Sequence, residues 1–91
     1  MRRAHVTVEG VVQGVGFRWS AARLADRHGV TGWVRNVGGD RVEAELEGAS
    51  DAVDAVIAWM RHGPAGATVD DVWVEELSPE GTQTFEVIAS V

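Results

Sequence analysis

Apolar and polar residues alternate from residue 4 to residue 9, with Ala4, Val6 and Val8 set between His5, Thr7 and Glu9. A period of two predicts a half-buried strand with those three apolar residues turned inward. The period then lengthens. Phe17, Ala21, Leu24, Ala25 and His28 recur at helical spacing, and Gly29 marks the stop. Residues 30–37, including Trp33, Val34 and Asn36, predict a second strand, and Gly38, Gly39 and Asp40 turn the chain into a hairpin. Residues 41–47 alternate most clearly. Val42, Ala44 and Leu46 share one face, Glu43, Glu45 and Glu47 share the other, and Gly48 ends the run. The glutamate row predicts a solvated sheet face.

Ser50 is placed to cap a second helix, with Asp51 and Asp54 favouring the dipole in its first turn. Val53, Val56, Ile57 and Met60 form its buried stripe, and Gly63 and Pro64 stop it. A fourth strand covers residues 69–76 with Val72 and Val74 inward. After a turn at 78–82, a last strand covers 83–88 with Phe85 and Val87 inward. The order is strand, helix, strand, strand, helix, strand, with a short final strand. That order predicts an α+β fold of the ferredoxin-like sandwich type (βαββαβ): a mainly antiparallel sheet of four to five strands with two helices on one face. Strand three lies between strands one and two, which run parallel about 9.6 Å apart, twice the usual strand spacing. Their C-terminal ends meet at one edge of the sheet.

The segment before the first helix carries the candidate chemistry. In Val12-Gln13-Gly14-Val15-Gly16-Phe17-Arg18, two glycines allow a tight turn and close approach to a ligand. No side-chain oxygen between Gly14 and Phe17 can reach the first helical N–H groups, and Ser20 comes too late. An anion suits both those free donors and the helix dipole. Arg18 adds a permanent charge whose fork matches phosphate oxygens. Asn36, near the end of the second strand, reaches the same edge. A tight strand-to-helix turn with no ligand is the plain alternative for the glycine pair.

Composition narrows the choices. With 91 residues the chain makes one domain with a modest core. It has no cysteine, so thiolate chemistry and disulfides are excluded, which is compatible with the cytoplasm. All eight basic residues are arginine, so a Walker lysine and a Schiff-base enzyme are excluded as well. A net charge of −6 disfavours nucleic acid but permits a local positive pocket for a small anion. No apolar run is long enough to span a membrane, and the N-terminal segment lacks the apolar centre of a secretory signal. His5, His28 and His62 are scattered and show no metal-ligand spacing, so no metal or other cofactor is expected. Trp19, Trp33, Trp59 and Trp73 read as packing or partly exposed residues.

The run from Gly10 to Arg18 resembles the first acylphosphatase signature. Gly32-Trp33-Val34-Arg35-Asn36, followed by Val42 and Gly48, resembles the second. Two long motifs in order and correctly spaced are far more specific than a glycine pair. The resemblance covers the whole chain and implies a single acylphosphatase-like domain over residues 1–91. In one departure the family commonly has glycine at the position of Asp40, so a local shift of the hairpin turn is expected.

The resemblance implies metal-free hydrolysis of a carboxyl–phosphate anhydride to carboxylate and inorganic phosphate. Arg18 and Asn36 would be catalytic. The backbone of Gln13, Gly14, Val15, Gly16 and Phe17 would bind the phosphate, with the Phe17 side chain packed beneath. Asn36 would orient water without acting as a strong base, and Gln13 would brace the loop. The expected partner is a small acyl phosphate, with no nucleic acid and no membrane, and the chain is expected to be a cytoplasmic monomer. Three other readings are a non-catalytic ligand module on the same fold, an RNA-binding sheet and an assembly domain. Both Arg18 and Asn36 are present, which disfavours the first, and the glutamate-rich open face disfavours the second.

Overall fold

The alternation at the start of the chain becomes strand β1, Arg2–Val11, with Ala4, Val6 and Val8 fully buried. Helix α1 covers Phe17–Arg27, β2 covers Thr31–Val37, β3 covers Arg41–Gly48 and α2 covers Ser50–Met60. Strand β4 covers Thr68–Leu77 and the short β5 covers Phe85–Val87. The computed structural model describes residues 1–91.

The five strands form one sheet in the order β4-β1-β3-β2-β5. Strand β3 is antiparallel to both β1 and β2, which therefore run parallel to each other. Strand β4 is antiparallel to β1, and β5 joins β2 in parallel. Both helices pack on the sheet, with Ala21, Ala25, Val53, Val56, Ile57 and Met60 buried among the inward residues of the central strands. This is the sandwich that the element order predicts.

Several details differ from expectation. Ser50 is already helical. The extended residue before it is Ala49, which brings no side-chain cap, and Asp51 is the only acid in the first turn. Asp54 instead pairs with Arg2 across the helix–sheet boundary. His28 is exposed, because α1 ends at Arg27 and the Val30 N–H closes onto the Ala25 carbonyl. Val74 and Val87 share registers with Val6 and Val34 but are 37% and 40% exposed, because both stand on edge strands. In the hairpin no residue other than glycine takes a positive φ. Gly38, at φ 59°, makes the reversal and Asp40 avoids it. Trp19 is largely exposed and Trp73 half so, whereas Trp59 packs on Phe17.

The largest correction concerns the glutamate row. Glu47 is 1% exposed and the Glu43 and Glu45 side chains are mostly covered. Register puts Arg3 opposite Glu47, His5 opposite Glu45 and Arg35 opposite Glu43. Arg3, itself 1% exposed, donates to Glu45 at 2.9 Å and to Glu47 at 3.1 Å. His5 bridges Glu45 and Glu43 at 3.0 and 3.1 Å, and Arg35 donates to Glu43 at 2.6 Å. Glu47 also accepts from the backbone N–H groups of Glu80 and Gly81, which hold the β4–β5 connection against the sheet. The Glu80 N–H is the main reason the Glu47 carboxyl sits below its usual range. Burial opposes the shift, and Arg3 and the Gly81 N–H reinforce it. Burial also pushes Glu45 up, but hydrogen bonds from His5 and Arg3 hold it below the ordinary value. Strict alternation identifies the face a side chain occupies; it does not say what covers that face.

Candidate active site

The loop between β1 and α1 is held from both sides. Val12 is buried at 1% exposure, and Phe17, at 2%, fixes the first turn of the helix. Between them Gly14 and Gly16 take left-handed conformations, with φ of 74° and 79°. A side chain there would be strained by its backbone, although nothing stands within 4 Å of either position. The loop therefore opens onto free space. Gly16 is the cap residue of α1, no side chain caps the helix, and its first turn holds no acid.

The first helical hydrogen bond is donated by Ser20 to the Gly16 carbonyl at 3.0 Å. The N–H groups of residues 14–19 donate to no protein acceptor. Arg18, the second residue of α1, is half-buried and stands in no ion pair, although the chain carries 14 acidic residues. The row of donors lies at the positive end of the helix whose second residue is Arg18, where an anion is favoured.

The Gln13 side chain joins this loop to the hairpin after β2. Its amide nitrogen donates to the carbonyls of Val37 at 3.3 Å, Gly38 at 3.0 Å and Arg41 at 2.9 Å. With its donors committed there, the side chain braces the loop, as expected. Asn36 precedes Val37 in β2, so the clamp brings the loop to the strand end that bears Asn36. The Asn36 backbone is tied down as well: its carbonyl accepts from the Val91 N–H at 3.0 Å, and the Gly38 N–H donates to the Val91 carbonyl at 2.9 Å.

The Asn36 side chain is 9% exposed, and its Oδ1 is buried with no hydrogen-bond partner. An orphaned buried acceptor costs about 1–3 kcal/mol. Phe17, in contrast, turns its ring into the core against Trp59, so only its backbone faces the loop opening. Val15 is half-buried and also packs toward the core.

Two supports were not read from the sequence. Gly63 does more than stop α2: a Cβ there would stand 2.6 Å from the Phe17 ring. Its neighbour in sequence, Pro64, was the available signal that this turn is fixed. The strap from Val91 had no sequence signal at all.

The acylphosphatase family model matches residues 4–87, which include the loop, Arg18 and Asn36. The chain belongs to the acylphosphatase family. An acylphosphatase of Trichormus variabilis is 53% identical over 85 residues, covering 93% of this chain and 84% of that protein. One from Thermococcus kodakarensis is 49% identical, covering 94% of each chain. The crystal structure of acylphosphatase from Bacillus subtilis superposes with a TM-score of 0.92 at 35% identity, covering 97% of this chain and 99% of that one. For this acylphosphatase, then, the two motifs and the fold belong together, and with Asp40 in its turn the β2–β3 hairpin pairs from Thr31–Glu47 to Val37–Arg41 with no register shift.

Proposed function

We propose that this acylphosphatase hydrolyses acyl phosphates by holding the phosphate on the amides of residues 13–18 and on Arg18, with water oriented by Asn36. The observation that carries the reading is the complementarity of unfilled groups at one end of the sheet. Donors without acceptors line the loop, and an acceptor without a donor stands at the strand end joined to it.

The chemistry needs little more. Phosphoryl transfer depends mainly on positioning and on stabilising charge at the equatorial oxygens. Loop amides and the Arg18 guanidinium donate to those oxygens. A water donates one hydrogen bond to Asn36 Oδ1, which fixes its lone pair toward phosphorus. The water–phosphorus bond forms as the bond from phosphorus to the carboxyl oxygen breaks. The electron pair leaves on a carboxylate, which is a good leaving group and needs no strong acid. The water proton passes to a phosphate oxygen, and the products are carboxylate and inorganic phosphate. Asn36 is neutral and positions the water. No step calls on a metal.

The same proposal takes residues 1–91 as a single-domain monomer acting in the cytoplasm on a small substrate. One sheet with one core supports the single domain. No helix is long and apolar enough to cross a membrane. Light scattering on a sizing column checks the monomer.

The deciding experiment is hydrolysis of benzoyl phosphate by purified protein in the presence of chelator, with Arg18→Ala beside the wild type. Rapid hydrolysis that survives chelation and is lost in the folded variant is the expected result. Wild-type turnover in folded Arg18→Ala protein overturns the assignment.

A further inference from the structure

The eight arginines divide by location. Arg2, Arg3, Arg35 and Arg41, all on strands, are each paired with carboxylates. Arg18, Arg23 and Arg27 on α1 and Arg61 just after α2 stand in no ion pair. Arg18 belongs to the loop site. Arg23 and Arg27 do not. They lie one helical turn apart and line a groove of about 330 Å³ between the two helices, with Ser20, Leu24, Trp59 and Pro64.

The groove joins two exposed, unpaired positive charges to an aromatic wall. Like charges four residues apart on a helix repel, and no acid relieves this pair. The single acid of α1, Asp26, is absent from the groove lining. Arg27 suits the negative end of the helix dipole, whereas Arg23 stands in mid-helix, away from that end. The groove also has an aromatic wall. Trp59 is half-buried, steadied against Phe17 at 5.2 Å between ring centroids, and forms part of the lining beside Leu24 and Pro64. The volume is at the small end of the range for small-molecule sites.

We propose that this groove is a second anion site that takes a small organic polyphosphate with a flat ring, the chemistry of a nucleoside di- or triphosphate. Successive phosphates bridge Arg23 and Arg27, the Ser20 hydroxyl donates to one of them, and the ring lies against Trp59. The site is separate from the loop at residues 13–18 and does not depend on catalysis there.

The test is a titration of ¹⁵N-labelled full-length protein with ATP, read residue by residue by NMR. ATP is expected to shift the amides of Ser20, Arg23, Leu24 and Arg27 and the Trp59 indole N–H. The double variant Arg23→Glu/Arg27→Glu is expected to lose these shifts and to bind at least about tenfold more weakly, the scale of one lost charge-assisted hydrogen bond. Its benzoyl phosphate turnover is expected to stay at the wild-type value, and its spectral dispersion reports that it is folded. Shifts confined to residues 14–18, or unchanged affinity in the double variant, overturn the site. Pyrophosphate binding the groove as tightly as ATP overturns the role of Trp59.

Discussion

The open face of the sheet and the loop at the start of α1 both carry charged and polar groups, but they treat them in opposite ways. On the sheet face Arg3, His5 and Arg35 each meet a glutamate in register, and Glu47 takes two further backbone donors from the β4–β5 connection. At the loop, the N–H groups of residues 14–19, the Arg18 guanidinium and Asn36 Oδ1 have no protein partner. Saturated polar groups fasten one layer of the protein to another. The loop donors, left unsatisfied but anchored by Phe17 and Gln13, are open to something that arrives from solution. Rigid and unfilled is what preorganised charge stabilisation requires.

Mutation can pull the two regions apart. The largest effect is expected from Arg3→Ala, which strands Glu45 and Glu47 without their cation. Breaking a buried pair in this way costs about 3–5 kcal/mol. Urea unfolding should show that loss, while turnover per folded molecule stays near the wild-type value. Arg18→Ala should do the reverse. Turnover falls at least about 10²-fold, or about 2.7 kcal/mol in the barrier, and the unfolding midpoint does not move. A matching stability loss in Arg18→Ala would erase the contrast between the regions.

Asn36→Ala should lower turnover by about tenfold or more, a modest share of the range for one positioned proton-handling group. Inhibition by inorganic phosphate should persist, because the amides and Arg18 remain. If phosphate affinity falls equally, Asn36 is a binding residue. Gly16→Ala places a side chain at φ 79° and should cost about 1–2 kcal/mol, measurable by thermal unfolding.

The smallest effect is set by pH. Glu45, Glu47 and Glu76 are held below the ordinary carboxyl value of 4.5 in the folded chain. Their contribution is therefore complete above about pH 4.5 and fades as pH falls toward their folded values. The raised arginines are lost only at strongly alkaline pH. Thermal unfolding between pH 7 and pH 3 should show a decline confined to the acid end. Arg3→Ala should flatten that decline.

Local rules made much of this legible. Alternation located β1 and β3 and their buried residues. Helical spacing found both helices, and the missing cap of α1 was visible in the lack of any side-chain oxygen from Gly14 to Phe17. Partners that depend on distant strands were not legible. Nothing near Glu47 in sequence announces Arg3, Glu80 or Gly81, so a buried latch looked like a solvated row. Asn36 could be placed at the strand end from its motif. That its Oδ1 is buried and unanswered is a property of the assembled walls around it. Edge strands misled in the other direction: Val74 and Val87 have the right parity, but the sheet ends beside them.

The strand order has a consequence for how the chain reaches this state. Strand β1 is flanked by β3 and β4, so the first strand synthesised acquires its second neighbour only when residues 68–77 exist. None of the pairs β4-β1, β1-β3 or β2-β5 joins strands consecutive in sequence, and only β2 and β3 form a hairpin. Loop closure must precede most of the pairing, which places folding with the mixed α/β domains, slower than helical bundles and faster than all-β folds. Until β4 docks, one edge of β1 is an open template for other chains. The aggregation risk of this protein is therefore concentrated in the interval before its fourth strand arrives.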